Sequence, residues 1–153
     1  MKKKIVWLVV GAVAGMLAAG PGLTQSEAGT GKARIPIADR WLKVTRVDVG
    51  ARGTSPGDME VIRTRLLQRN GRTLGRGELV CTFADSVRSR VCRGTYVMPR
   101  GKLVVGGSIL SHRFYGLAVL GGTGLYDNAR GTLTVTRTGT NPVTDLLVFR
   151  LVG

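Results

Sequence analysis

The feature that most constrains this chain is the lack of any helical period from Trp41 to the C-terminus. Short runs rich in Val, Leu, Thr and Ile alternate with Gly, Asn-Gly and Pro-Arg-Gly. No stretch of this region repeats apolar residues at the i, i+3, i+4 spacing of a helix over three turns. The pattern predicts an all-β domain of eight strands: Trp41–Val49, Met59–Gln68, Leu74–Ala84, Arg90–Val97, Lys102–Leu110, Phe114–Leu120, Gly131–Arg137 and Asp145–Val152.

The connections between these strands are typical of hairpins. Asn70-Gly71 suits a two-residue turn with positive φ at both positions, and Pro99-Arg100-Gly101 is a second tight reversal. Eight short strands in a meander can close into an antiparallel β-barrel, which removes exposed edges. A β-sandwich is the alternative. An eight-stranded barrel encloses space for side chains or for one small ligand.

The N-terminus has the layout of a signal peptide. Lys2–Lys4 precede an apolar run of fifteen residues, Ile5–Ala19. A membrane-spanning helix needs about twenty, so the run is short for a span but suits a secretory signal cleaved after Ala28. The predicted organisation is a signal peptide helix over residues 1–28, a flexible lead-in over 29–40 and the barrel over 41–153. We therefore expect a secreted, extracellular protein without stable membrane insertion, with an uncleaved N-terminal anchor as the alternative.

The formal net charge is +14, and cleavage after Ala28 lowers it to +12 by removing three Lys and one Glu. A protein with so large a positive net charge creates an electrostatic potential that favours acidic partners. The basic residues are scattered through the chain, which fits an arginine-rich surface equally well. Aromatic residues make up only 5% of the chain, and the arginines are not interleaved with a stacking platform, so specific nucleic-acid binding is not predicted.

Alternation along the strands separates inward from outward positions. Arg63 and Arg65 point out of the second strand, and Lys43 and Arg46 leave the first strand unassigned. The inward positions of strands two to four are Asp58, Glu60, Ile62, Thr64, Leu66, Leu79, Cys81, Phe83, Cys92, Gly94 and Tyr96. Cys81 and Cys92 then lie opposite each other on adjacent strands. In an oxidising compartment this placement predicts a disulfide.

Asp58, Glu60 and Tyr96 are the candidate catalytic residues because they are polar groups on inward positions. An enclosed carboxyl has a raised pKa and can transfer protons, and a tyrosine can orient a ligand oxygen. The alternative is that Asp58 caps a turn and Glu60 pairs with an arginine. His112 is the one histidine and is predicted to be a solvated loop residue. Neither a metal site nor a cofactor is predicted.

One segment resembles a family signature. It runs from Leu120 to Val135 and contains Gly121-Gly122-Thr123-Gly124, Tyr126 and Gly131. This segment is similar to the signature of the allene oxide cyclase barrel-like and dirigent families. Weaker similarities occur in the same order as in those families, at Ser55-Pro56-Gly57-Asp58, Gly75 to Cys81, Gly94-Thr95-Tyr96 and Leu147 to Leu151.

The resemblance implies a barrel whose interior binds an apolar, reactive small molecule and steers its cyclisation, isomerisation or coupling, as a homotrimer or dimer. Cys81 matches a pocket cysteine of the cyclases, but Val47, Val49 and Ile109 replace their Glu, Asn and Tyr. An isomerase or cyclase other than a true allene oxide cyclase is the enzymatic hypothesis. The alternative is a non-catalytic basic barrel that binds an apolar ligand or an acidic cell-envelope polymer.

Overall fold

The computed structural model describes residues 32–50, 52–85, 89–110 and 113–152. The chain forms a closed antiparallel barrel in which each strand pairs with its neighbours in sequence and β8 returns to β1. The predicted all-β, eight-stranded barrel is therefore confirmed. Its strands are β1 Ala33–Val47, β2 Met59–Leu67, β3 Thr73–Phe83, β4 Arg90–Met98, β5 Gly101–Ile109, β6 Phe114–Gly124, β7 Arg130–Thr140 and β8 Val143–Val152.

The predicted signal peptide and His112 lie outside the described residues, so secretion stays a prediction. The part of the chain that the structure describes contains no helix long and apolar enough to span a membrane.

Strand β1 corrects the predicted boundary of the barrel. It begins at Ala33, so residues 33–40, predicted to be a flexible lead-in, form its first half and pair with β8. Pro36 is compatible with this strand because residues 33–37 pair with β8 but not with β2. One side of the strand therefore has no ladder partner there, which is where a residue without an N–H is tolerated.

A β-bulge at Leu42 explains why the inward face of β1 could not be assigned. The register with β2 shifts between Trp41 and Lys43. Because one extra residue reverses the alternation, Ile37 and Asp39 point inward before the bulge, whereas Val44 and Arg46 take the inward parity after it. A single alternation could not fit both halves of the strand.

The two ends of the barrel differ in their connections. The end that we call the turn end carries the connections 68–72, 99–100 and 125–129, whereas the opposite end, the mouth end, carries 84–89, 110–113, 141–142 and the longest connection, 48–58. Tyr126 is buried at the turn end, where its hydroxyl lies 3.8 Å from the sulfur of Met98. A Cβ on Gly122 would lie 2.1 Å from the carbonyl oxygen of Tyr126. The glycine-rich signature therefore closes the turn end.

The middle of the barrel is filled by side chains. Leu66, Leu103, Leu133 and Phe149 are completely buried. The ring of Tyr96 packs edge-on against that of Phe149, with centroids 5.3 Å apart. Apolar packing thus occupies the centre, and the inward polar groups collect elsewhere in the interior.

The inward positions predicted within β2, β3 and β4 are confirmed, and so is the disulfide, whereas Asp58 lies before β2 in the connection from β1. Cys81 and Cys92 are directly opposed in the β3–β4 ladder and are bonded to each other. Both are buried. The bond therefore ties these two strands together on the inner face of the barrel wall.

Candidate functional site

Polar side chains from six strands meet inside the barrel. We call this set the interior polar cluster, and its members are Asp39 and Trp41 on β1, Thr64 on β2, Tyr96 on β4, Tyr115 on β6, Arg137 on β7 and Asp145 on β8. Asp39, Thr64, Tyr96 and Asp145 are buried, whereas Trp41, Tyr115 and Arg137 are partly exposed. The cluster thus combines enclosed polar groups with side chains that reach solvent.

The carboxylate of Asp145 is held by two donors. Trp41 donates from Nε1 to Oδ2 at 2.8 Å, and Arg137 donates from Nε to Oδ1 at 2.5 Å. Arg137 also lies over the indole ring of Trp41, with its guanidinium carbon 4.7 Å from the ring centroid. These contacts fix the position of Asp145 and place a positive charge directly beside it.

Asp39 is the exceptional carboxyl of the cluster. It is 3% exposed and lies directly opposite Asp145 in the β1–β8 ladder. Burial raises the pKa of the Asp39 carboxyl to about 7. The negative charge of Asp145 acts in the same direction, whereas the Thr64 hydroxyl and Arg137 partly oppose the rise in this pKa. A carboxyl with a pKa near neutrality is suited to both giving and taking a proton.

Two buried atoms beside each other lack hydrogen-bond partners among the described residues. They are Oδ1 of Asp39 and Oγ1 of Thr64. The Thr64 hydroxyl is close enough to Asp39 to influence its pKa, but the two groups do not satisfy each other geometrically. Buried polar atoms are nearly always paired. This pair therefore offers buried hydrogen-bonding atoms to a polar group of a bound molecule.

Two phenols complete the cluster. Burial raises the pKa of the Tyr96 and Tyr115 hydroxyls above the usual value, and the charge of Asp145 acts in the same direction on both. Both side chains are therefore neutral at physiological pH and can donate a hydrogen bond. Tyr96 was predicted as a site residue, and the structure places it in this cluster.

Glu60, the second predicted residue, is buried as expected but forms an ion pair. Arg90, itself buried, donates to Oε2 of Glu60, and Arg46 donates to Oε1 at 3.2 Å. Glu60 is level with Cys92 in the ladders, whereas Tyr96 is four residues farther along β4. That separation is about 13 Å along the strands. The structure therefore does not bring Glu60 and Tyr96 together.

Asp58, the third predicted residue, organises the β1–β2 connection. Its carboxylate accepts hydrogen bonds from the backbone N–H of Val49 and of Ser55, each at 2.8 Å, and from the Ser55 hydroxyl. The two backbone donors lower the pKa of Asp58. These contacts, and those of Glu60, match the alternative interpretation of the sequence, a turn cap and an arginine pair.

The sequence interpretation missed Asp39 and Asp145. Alternation along the strand indicates an inward position for each of them. Asp39 is two residues from Ile37, which is in turn two residues from Ile35, and Asp145 is on the same face of its strand as Leu147 and Phe149. Glycines and Pro36 near the start of the domain suggested a flexible segment instead. Because Asp39 lies in the segment predicted to be a flexible lead-in, the strand alternation did not extend to it.

One side of β1 has no strand partner beyond the cluster. β8 pairs with β1 only as far as Arg40, whereas β1 continues to Val47 paired with β2 alone. Val44 has the inward parity and is nevertheless 39% exposed. We call this stretch, which begins at Trp41, the unpaired edge of β1. Within the described residues, no group of three or more His, Cys, Asp or Glu side chains is placed to hold a metal ion.

No protein-family model matches the chain, and no curated protein matches it in sequence. Solved structures do match. A pyocyanin demethylase aligns with a TM-score of 0.67 and 24% identity over 75% of this chain and 98% of its own. A pterocarpan synthase dirigent protein aligns with a TM-score of 0.60 and 15% identity over 80% of this chain and 97% of its own.

A nonspecific heme-binding cyclase aligns with a TM-score of 0.61 and 14% identity over 79% of this chain and 68% of its own. Dirigent proteins and cyclases thus share this barrel. The resemblance to allene oxide cyclase-like and dirigent barrels is confirmed for the fold.

Proposed function

We propose that this barrel binds a small, largely apolar molecule that carries a polarisable oxygen, and that it steers an isomerisation, cyclisation or coupling of that molecule by proton transfer at Asp39. The observation that carries the proposal is the buried Asp39 carboxyl, whose pKa is about 7 and whose Oδ1 lies unpaired beside the unpaired hydroxyl of Thr64. The shared fold with dirigent proteins and cyclases supports it.

The proposed reaction is balanced without a co-reactant. The protonated Asp39 carboxyl donates its proton to the ligand oxygen, which makes the attached carbon, or the β-carbon of a conjugated carbonyl, more electrophilic. A nucleophilic atom of the same ligand then forms a bond to that carbon while the π bond of that carbon breaks, and the nucleophilic atom becomes acidic. The Asp39 carboxylate takes up that proton, so the ligand is isomerised and the carboxyl is restored.

The other members of the cluster assist this transfer. Asp145, fixed by Arg137 and Trp41, keeps a negative charge opposite Asp39 and so favours the protonated form of its carboxyl. Tyr96 and Tyr115 are neutral donors that orient the ligand oxygen. Because the centre of the barrel is packed, the proposed ligand lies between the cluster and the unpaired edge of β1 that begins at Trp41. Shape and orientation therefore select the product.

A mature chain that begins at Gly29 contains a single tryptophan, Trp41, which permits a direct test. We suggest 2′-hydroxychalcone as the probe because its ring closure to flavanone is an isomerisation assisted by proton transfer to a carbonyl oxygen. Binding is expected to quench the fluorescence of Trp41. Chiral chromatography is expected to show faster closure with one enantiomer in excess.

Asp39→Asn is expected to bind the probe but to lose the acceleration and the enantiomeric excess. Asp48→Asn is the matched control, because Asp48 is an exposed carboxylate in the β1–β2 connection. A carbon-detected NMR titration tests the acid without any substrate. An Asp39 carboxyl that titrates near pH 4 would contradict the proposal.

The alternative function, binding without conversion, uses the same polar cluster and the same unpaired atoms but needs no proton transfer. It predicts quenching of Trp41 with racemic product formed at the uncatalysed rate. It also predicts that Asp39→Asn changes affinity alone. The same two measurements therefore separate the two functions.

A further inference from the structure

Three exposed arginines form a row across the outer face of β1, β2 and β3. Arg40 is directly opposite Arg65 in the β1–β2 ladder, and Arg65 is directly opposite Arg76 in the β2–β3 ladder. We call these three residues the arginine row. Like charges directly opposite each other on a sheet are destabilising, so the row needs an explanation.

The neighbouring row on the same strands shows the ordinary solution. Two residues away, Arg63 is opposite Glu78, and the two side chains form an ion pair at 3.0 Å. None of the three members of the arginine row forms an ion pair within the part of the chain that the structure describes. The positive charge of the row is therefore not balanced by ion pairs within the described residues and is available to bind an anionic partner.

More positive charge continues from the row toward the turn end. Arg69 and Arg72 are exposed in the β2–β3 turn, and Arg100 is exposed in the β4–β5 turn. Arg65 and Arg76 are among the residues that line a groove of about 440 Å³. Guanidinium groups bind phosphate oxygens in a bidentate manner. The surface therefore offers several phosphate-binding groups on one side of the barrel.

We propose that the arginine row binds a flexible polymer that carries repeated phosphate groups. Adjacent strands are about 4.8 Å apart, so a single small anion spans two of the three guanidinium groups, whereas a chain of phosphates reaches all of them. The row follows the convex wall of the barrel, which a flexible chain can follow and a flat bilayer cannot.

The lining of the groove argues against nucleic acid as the polymer. Its apolar residues are Leu42, Leu74, Val97, Met98 and Pro99, and its other lining residues are Arg, Thr and Gly. Bases bound as single strands stack on aromatic side chains, and this groove has none. The inferred partner is therefore a phosphate polymer without bases.

Two triple variants with the same change in charge test the proposal. The first carries Arg40→Gln, Arg65→Gln and Arg76→Gln. The control carries Arg52→Gln, Arg93→Gln and Arg150→Gln, which are exposed arginines that do not face one another in any ladder. Affinity for sodium polyphosphate is measured by titration calorimetry in about 150 mM NaCl, where long-range attraction is screened.

The variant of the row is expected to lose affinity about tenfold or more, and the control about threefold or less. Equal losses in both variants would overturn the proposal, because they would show diffuse charge alone. The choice of partner would be overturned if the protein bound polygalacturonate, single-stranded DNA or anionic vesicles more tightly than polyphosphate.

Stability gives an independent readout that also shows whether the variants fold. Arg65→Gln is expected to raise the Tm of the free protein, because it removes the charge that faces both neighbours. It is also expected to reduce the rise in Tm that polyphosphate produces in the wild type. A lower Tm for Arg65→Gln without polyphosphate would contradict the argument from like-charge repulsion.

Discussion

At the scale of single residues, the proposed chemistry depends on the different surroundings of two directly opposed aspartates. Asp145 receives an arginine and an indole N–H, whereas Asp39 is buried with one oxygen unpaired. The same side chain thus becomes a fixed negative charge in one place and a proton carrier in the other. Environment, rather than residue type, assigns the two roles.

The raised pKa of Asp39 predicts how stability depends on pH. Its folded-state value of about 7 lies above the ordinary 3.8, so the folded state binds the proton more tightly than the unfolded state. The contribution of the Asp39 carboxyl to the free energy of unfolding is fully present below pH 4, and it is lost as the pH rises through 7 and the buried carboxyl ionises. Relative to wild type, Asp39→Asn should gain up to about 4 kcal/mol in the free energy of unfolding between pH 4 and pH 8.

Urea unfolding of both proteins at several pH values measures this difference. Asp48→Asn serves as the control, since its carboxylate is exposed. A difference between wild type and Asp39→Asn that does not change with pH would show that the Asp39 carboxyl is not perturbed by folding.

At the scale of strands and turns, the glycine-rich signature acts through close backbone contacts. Gly131 opens β7 with a φ of 142°, and a Cβ there would lie 1.9 Å from the carbonyl oxygen of Arg150. Gly131→Ala is therefore expected to lower the free energy of unfolding by about 3 kcal/mol or more.

Gly116 on β6 is the matched control. A Cβ at this position would meet no atom closer than 3.9 Å, so Gly116→Ala should change the free energy of unfolding by about 0.5 kcal/mol or less. Chemical denaturation of the two variants tests the contrast. Similar values for both would mean that the signature glycine is not required by the strand contact.

At the scale of the whole molecule, barrel closure depends on the first half of β1. Residues 33–40 supply the pairing with β8, the buried Ile37 and the carboxyl of Asp39. Without them β8 becomes an exposed edge, which is prone to pair with other chains. The segment therefore belongs to the folded domain as well as to the site.

A chain that begins at Trp41 is expected to aggregate or to remain unfolded, whereas one that begins at Gly29 folds. Circular dichroism and size-exclusion chromatography of the two chains make the comparison. If the shorter chain were monomeric with an unchanged Tm, the β1–β8 pairing would not be needed to close the barrel.

The sequence alone was enough to predict β2 to β8, the closed barrel, the inward positions within β2 to β4 and the disulfide, but it placed the start of β1 eight residues too late. These features follow from local rules: alternation sets the two faces, turn residues set the hairpins, and opposed positions about a hairpin bring Cys81 to Cys92. The inward placement of Glu60 and Tyr96 followed from the same alternation, whereas Asp58 lies in the β1–β2 connection.

Only the tertiary structure decided which inward polar groups form a site. The bulge at Leu42 reverses the face of β1, and closure of the barrel brings Asp39 against Asp145 from opposite ends of the chain. Burial by distant strands then raises the pKa of Asp39, while Arg90 neutralises Glu60 and backbone N–H groups bind Asp58. Alternation gives the direction in which a side chain points, but its charge and proton affinity depend on neighbours that only the closed barrel supplies.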